Sequence, residues 1–207
     1  QEMFRSIGDL TNTKVTSYKA DTKLTDKLSI SGSHNSKNVK AALLCCEKFG
    51  ISSDKALQYL EMFEPAYGRG ENVIYKGTSF KLLLAKNPAG FNTNLDLVMK
   101  RGLKYSSILF VLNDNIPDGL DISWIYDIDR EKLKKACDSK EVYVSGKRAF
   151  DMAVRLKYSG VDINRGNIST NLKKTIHRLV TNEKVLVFPN YSSMLEVRKI
   201  LTGKSIL

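Results

Sequence analysis

An α/β fold built on a parallel sheet is predicted from two observations. From about residue 79 onward, short and almost wholly apolar runs (FKLLLA, SILFVL, EVYV, KVLVF) alternate with amphipathic segments. Strands buried on both faces read as continuous apolar runs, and parallel sheets covered by helices on both sides bury both faces. The second observation is the turn after one of these runs, LNDNIPDGLDISWIYDID, residues 112–129. It gathers Asp114, Asp118, Asp121, Asp127 and Asp129 around the chain's only Trp. Open α/β sheets place their functional loops at the carboxyl ends of strands. The predicted architecture is therefore Rossmann-like, a parallel sheet with helices on both faces.

Taken in order, residues 1–31 alternate polar and apolar side chains in VTSYKADTKL and KLSISG, which predicts strands or an edge hairpin. GSHNSKNVKAALLCCEKFG follows, and Asn35 or Ser36 is placed to cap a helix. That helix carries Val39, Ala42, Leu43 and Cys46 on one face and stops at Gly50. A second helix, SDKALQYLEMF, is capped by a Ser and ends before Pro65. PAYGRGENVIYKGT, with Gly68, Gly70 and Gly77, reads as a linker and hairpin turn.

FKLLLA is then a strand, KNPAGFN a turn, and LDLVMKRG lies in a helix. SILFVLN is a strand, DREKLKKAC a helix, EVYVSG a strand and RAFDMAVRLKYSG a helix. ISTNLKKTIHRLV is predicted helical, KVLVFPN a strand and SSMLEVRKIL a helix. Two units result, residues 1–64 as the tail of some α/β domain and residues 65–207 as the Rossmann-like domain. The first is too small to complete a sheet alone.

Composition narrows the field. With 42% hydrophobic and 27% charged residues the chain is an ordinary globular protein. No window approaches the roughly 18 uninterrupted apolar residues of a membrane span. Residue 1 is Gln, so the chain is read as a processed product or a fragment. Cys45, Cys46 and Cys137 make neither an even disulfide framework nor a metal pair. Cys45 and Cys46 fall on an apolar helical run and are expected to be buried thiols, which suits a reducing cytoplasm. Two histidines without ligand spacing argue against structural zinc. The net charge of +11 suits an anionic partner, but the lysines are scattered and no nucleic-acid motif is present.

The candidate site residues follow from side-chain chemistry. His34, Asn35 and Asn38 sit beside a Gly at a strand–helix junction. Amide side chains both donate and accept, so they suit a base edge or a ribose hydroxyl; the plain alternative is a capping turn. No GxxxxGK[ST] phosphate loop occurs, which leaves Arg69 and Lys86 as point charges for any phosphate. In AKNPAGFN, Pro88 suits the first turn of a helix whose free N–H groups can meet an anion, against an ordinary strand–helix turn. The acidic turn suits a divalent cation or the orientation of a histidine. His34 and His177 are poorly placed for the latter, and no Ser or Cys sits in a GxSxG elbow. If Asp121 serves a triad, the other members belong to another protein.

GSHNSKNVKAA, PAYGRGE, LLLAKNPAGFN, NDNIPDGLDISWIYDID, VSGKRAFDMAVRLKYSG and FPNYSSML, in this order over about residues 27–195, resemble the C-terminal part of the MurT family. That family is the Mur-ligase-like subunit of lipid II isoglutaminyl synthase, whose glutaminase partner is GatD. The resemblance implies that ATP, with Mg2+, activates the D-glutamate carboxylate of lipid II, and that ammonia released from glutamine by GatD displaces the phosphate.

It also implies that Asp121 completes a Cys–His–Asp triad across the subunit interface. His34, Asn35 and Asn38 match a segment contacting adenine and ribose, and Arg69 matches an Arg near the nucleotide. Lys86 and Asn87 are expected at an interdomain cleft, and Asp114, Asp118 and Trp124 at the cleft or interface; no metal ligand is assigned. The expected location is the cytoplasm, with the membrane reached only through the lipid-linked substrate.

The chain departs from the family in lacking its GTNGKT-type phosphate loop and its four-cysteine zinc ribbon. Residues 1–64 correspond to the tail of the ATP-binding central domain, so the chain alone is expected to be inactive. Near Leu83, where other Mur ligases carry an Asp, the strand reads LLLAK. Two other readings stay open. One is a conventional Mur ligase fragment adding an amino acid to a UDP-linked precursor. The other is a non-catalytic module that docks a glutaminase-like protein. A nucleic-acid-binding domain is a further contrast, marked by affinity that falls steeply with salt.

Overall fold

The computed structural model describes the chain apart from residues 1, 20, 22–23, 25–27, 29–32, 64–66, 101–103, 182 and 206–207; of residues 2, 3, 33, 34 and 100 it describes the backbone. The chain divides into two compact units, residues 1–64 and 65–207. Among the described residues no helix is long and apolar enough to cross a membrane.

The first unit holds helices α1 (Glu2–Leu10), α2 (Ser33–Lys48) and α3 (Ser53–Glu61). The strands expected over residues 1–31 are not found among its described residues. The chain opens with α1 instead, and residues 13–19 are irregular and exposed. Alternation sets the period of an extended chain, but a strand also needs a neighbour for its hydrogen bonds, and none pairs here. Most of KLSISG lies outside the described residues.

Helix α2 begins earlier than expected, so His34, Asn35 and Ser36 fall in its first turn, and the Ser36 hydroxyl donates to the Asp21 carbonyl (2.5 Å). Helix α3 is capped by Ser52, whose side chain accepts from the Lys55 amide. The small core is Leu28, Val39 and Leu43, packed by Leu24, Ala56, Leu57 and Leu60. That core covers a narrower stripe of α2 than predicted. Ala42 and Cys45 are exposed and Cys46 is half-buried, which corrects the expectation of two buried thiols.

The second unit contains one six-stranded sheet. Its strands are β1 (Arg69–Tyr75), β2 (Thr78–Leu83), β3 (Ser107–Val111), β4 (Glu141–Ser145), β5 (Ile168–Ser169) and β6 (Lys184–Pro189). Their order is β1-β2-β6-β3-β4-β5, with β1 antiparallel to β2 and the rest parallel. The predicted strands are β2, β3, β4 and β6. Strand β1 was hidden in what reads as a linker. It is a polar edge strand with only Val73 and Tyr75 turned to the core, and edge strands need no apolar run. It joins β2 through Lys76 and Gly77, both at positive φ (47° and 81°), as a two-residue hairpin requires. β5 takes the first two residues of the segment predicted as a single helix. Helix α7 (Leu172–Arg178) starts after Asn171, whose side chain accepts from the Lys174 amide.

Helices α4 (Pro88–Lys100), α5 (Arg130–Cys137) and α6 (Ala149–Tyr158) pack on one face of the sheet. Helices α7 and α8 (Tyr191–Thr202) pack on the other. The chain steps from β2 through β3 and β4 to β5 with helices on the first face, then returns to β6 with α7 on the second. Right-handed crossovers demand this coupling of direction and face. β6 therefore lies between β2 and β3 and sends its helix to the opposite side, so the topology reverses at the carboxyl ends of these three strands. Phe80, Phe110 and Phe188 are fully buried there and along the sheet, each worth about 1.5–3 kcal/mol of transfer free energy.

Candidate functional site

The carboxyl ends of β3, β4 and β6 are joined by a polar network. The Asn113 amide donates to Asn190 Oδ1 (3.2 Å), and Asn190 Nδ2 returns a bond to the Asn113 carbonyl (2.7 Å). Asn113 Oδ1 also accepts from the Lys147 amide (2.9 Å). Asn115 Nδ2 donates to Ser192 Oγ (2.8 Å) while its Oδ1 accepts from Lys147 Nζ (2.5 Å). Asn113 and Asn190 are 1% and 5% exposed, and a buried amide must find partners in this way. Gly146 makes the approach possible. At φ +97°, a Cβ there would meet the Leu112 carbonyl oxygen at 2.4 Å. Sequence reasoning passed over Asn113, Asn115, Lys147 and Asn190; an Asn directly after two apolar strands was the available signal.

Most of the acidic turn is committed to structure. Asp114 pairs with Arg148 (3.4 Å), which also binds Asp151 (2.9 Å). Asp118 accepts from the Ser192 amide (2.9 Å) and from the Ser192 hydroxyl, capping α8. Asp129 caps α5 by accepting from the Lys132 amide (3.0 Å). Among the described residues no group of three His, Cys, Asp or Glu is placed to hold a metal ion. The carboxylates of Asp114, Asp118 and Asp129 diverge to separate partners.

Asp121 stands apart. Its side chain is exposed, and Oδ1 accepts the Ser123 amide (2.8 Å) in an Asx turn. This bond, reinforced by the Ser123 hydroxyl, holds the carboxyl below its ordinary range. The turn continues as a short 3₁₀ helix, Ser123–Asp127, with Ile125 fully buried. Trp124 is half-buried at the edge of an aromatic cluster. It meets Phe91 at 6.4 Å between centroids, and Phe91 stacks on Phe188 at 5.0 Å. The cavity these residues line measures about 10 Å³, room for about one water and no ligand. The site is a surface that presents a carboxylate.

At the other end of the 3₁₀ helix lies Arg155 of α6, which sequence reading missed. It is 4% exposed, with its guanidinium on the Ile125 carbonyl (2.8 Å), the Ile128 carbonyl (2.5 Å) and Ser159 Oγ (2.6 Å). Burial draws its pKa below the ordinary arginine value. The detectable signal was one Arg on the inner face of FDMAVRLKYSG.

The remaining predicted residues belong to both units. His34, Asn35 and Asn38 belong to α2 of the first unit, where Asn35 is half-buried and Asn38 exposed; the His34 side chain lies outside the description. Arg69 opens β1 in the second unit and is exposed. Lys86 lies 4.2 Å over the Tyr191 ring, a cation–π contact. Asn87 Oδ1 accepts the Gly90 amide (2.8 Å). One of the N–H groups at the start of α4 is thus capped by the chain itself.

Residues 84–194 match the family described as MurT ligase C-terminal. The chain is 30% identical over 168 residues to the lipid II isoglutaminyl synthase (glutamine-hydrolyzing) subunit MurT of Staphylococcus aureus, covering 81% of this chain and 38% of that protein. It is 26% identical over 182 residues to the same subunit of Streptococcus pneumoniae, covering 87% and 40%. The chain thus spans about two fifths of the length of these relatives.

Among solved structures it resembles MurF from Acinetobacter baumannii, with TM-score 0.61, 14% identity, and coverage of 86% of this chain and 39% of that one. MurF ligase from Thermotoga maritima in complex with ADP gives 0.50 at 16% identity, covering 82% and 38%. At such identities the structural likeness speaks for the fold alone. The matched span covers more than half of the chain and runs from the end of β2 through the acidic turn into α8, which are the elements that build the polar network and present Asp121. The chain belongs to the MurT ligase C-terminal family.

Proposed function

We propose that the chain is part of the ligase subunit of a glutamine-dependent amidotransferase. The whole enzyme converts D-glutamate of lipid II to D-isoglutamine, with ATP, Mg2+ and ammonia from a GatD-like glutaminase partner. On this reading residues 1–64 are the C-terminal part of a Mur-ligase-type central domain, and residues 65–207 are the Mur-ligase-type C-terminal domain. The reaction belongs to the cytoplasmic side of the membrane, where the lipid-linked substrate is reached.

The observation that carries the reading is Asp121, an exposed carboxylate held ionised on a braced turn. A carboxylate so held suits the third place of a triad. It accepts the Nδ1–H of a histidine, fixes the tautomer, and stabilises the imidazolium formed when that histidine takes the nucleophile's proton. Of this chain's own histidines, His34 belongs to the first unit and His177 lies on α7 beside the Tyr75 hydroxyl (3.4 Å). The resemblance to the MurT family assigns the triad's histidine and cysteine to the partner. Tyr126 beside the site and Phe150, Val154 and Tyr158, one turn apart along α6, are all exposed; aromatic side chains of this kind favour a protein partner there.

The residues present fit ATP only in part. His34, Asn35, Asn38 and Arg69 suit a base, a ribose and one phosphate charge. The phosphate loop is absent from the sequence, and no metal-holding cluster occurs among the described residues.

The test is Asp121→Asn in the full-length subunit bound to its glutaminase. Glutamine hydrolysis should fall on the order of 10⁴-fold while the complex stays assembled. Undiminished hydrolysis would refute the cross-subunit triad.

A further inference from the structure

Three candidates stand outside the site as described. The basic concave face of Lys173, Lys174, His177 and Arg178 on α7 is built of exposed side chains, with no buried polar group aimed into it among the described residues. The exposed stripe of α6 belongs to the docking reading already given. The third is Arg155, a buried cation held by backbone carbonyls.

A buried guanidinium without a counterion is costly. Among the described residues no carboxylate pairs with Arg155. Its donors are spent on two backbone carbonyls, Ile125 and Ile128, and on Ser159 Oγ within its own helix. The Ile125 carbonyl lies within the 3₁₀ helix Ser123–Asp127, where it also accepts the Ile128 amide (3.4 Å), and Ile128 is the residue that ends that helix. The amino end of the same helix is tied by Asp121, whose carboxylate takes the Ser123 amide. One short helix thus carries the site carboxylate at one end and a buried cation from α6 at the other, with Trp124 and Ile125 packed between them. The Tyr126 ring, 5.9 Å from the guanidinium carbon, covers the cation on the outer side. An apolar residue of similar volume could fill the space, but it could not bind both carbonyls and set the tilt of the helix.

We propose that Arg155 is a positioning residue for glutamine hydrolysis, aiming the Asp121 carboxylate at the partner's histidine by clamping the far end of the turn. The inference rests on the triad reading of Asp121. Misplacing a reacting group by about 1 Å costs about a hundredfold in rate, so a looser clamp should act on turnover and leave glutamine binding alone.

The experiment compares Arg155→Lys, Ser159→Ala, Asp121→Asn and the double variant Asp121→Asn/Arg155→Lys in the full-length subunit, each at saturating glutaminase partner. An ammonium reaches fewer of the three acceptors than the guanidinium does. Arg155→Lys should lower kcat for glutamine at least tenfold with KM within about twofold. Ser159→Ala, which removes one anchor and keeps the charge paired to backbone, should lower kcat by less in the same direction. The double variant should be no slower than Asp121→Asn alone, because both act through one carboxylate.

If the loss in Arg155→Lys disappears on adding excess subunit, or adds fully to that of Asp121→Asn, the residue serves stability alone and the proposal is overturned. Should Arg155→Lys not assemble, Ser159→Ala decides, and parental kcat there overturns the proposal equally. Full activity in Asp121→Asn would instead overturn the triad reading itself, an outcome separable from the others.

Discussion

Asp121 is depressed below the ordinary carboxylate value by hydrogen bonds from Ser123, its backbone amide first. For a carboxyl lowered on folding, the stabilisation is present above the unfolded value, about 3.9, and is lost as pH falls through the folded one. Between pH 5 and 8 Asp121 is therefore a fixed charge. An NMR titration of its carboxyl should give a midpoint below about 3.9, and the acid limb of glutamine hydrolysis should follow groups of the partner. A midpoint above the ordinary value would mean the Asx turn does not form in solution. Trp124 has a different task, since its ring closes the edge of the Phe91–Phe110–Phe188 cluster. Trp124→Ala should cost about 2 kcal/mol, less than for a fully buried ring, read from thermal or denaturant unfolding. An unchanged melting temperature would put the ring at the surface with no packing role. Asp121, Trp124 and the turn they share were legible from side-chain type and spacing. Arg155 was not, because an arginine in an amphipathic helix reads as solvated until the carbonyls it faces are known.

At the scale of elements, the acidic turn works as a set of caps. Asp118 serves α8, Asp129 serves α5, and Asp121 opens the 3₁₀ helix. Five carboxylates in a short loop look like a cation site in sequence, yet Asp118, Asp121 and Asp129 are each drawn to a helix N–H group and Asp114 to Arg148, so they separate. Asp118→Ala should destabilise the second unit by about 1 kcal/mol, the usual effect of a lost cap, seen as a lower denaturant midpoint at constant m-value. No change would show that Ser192 caps α8 without it. The edge strand β1 illustrates the opposite case. Arg69–Tyr75 carries no apolar run, and only its pairing with β2 and the Glu71–Arg198 ion pair (2.8 Å) to α8 establish it. Helix α1 was missed for a related reason. Residues 1–31 alternate like strands, but no neighbouring strand among the described residues receives them.

Over the whole molecule, the 207-residue chain on its own should hydrolyse no ATP, because the sequence holds no phosphate loop. A steady-state phosphate-release assay checks this, and turnover above that of buffer would require an unrecognised phosphate site. The sequence by itself determined the α/β class, four of the strands and the helices between them, and the turn that carries Asp121. Apolar period and strand-end chemistry are local properties, so they survive in one dimension. Only the tertiary structure decided that β6 inserts between β2 and β3, that Asn113 and Asn190 meet across that seam, and that Arg155 braces the turn from α6. The Arg155–Ile125 and Asn190–Asn113 bonds join residues 30 and 77 positions apart. Their partners are backbone carbonyls and amides that every residue possesses, so nothing in residue type marks which of them will be met.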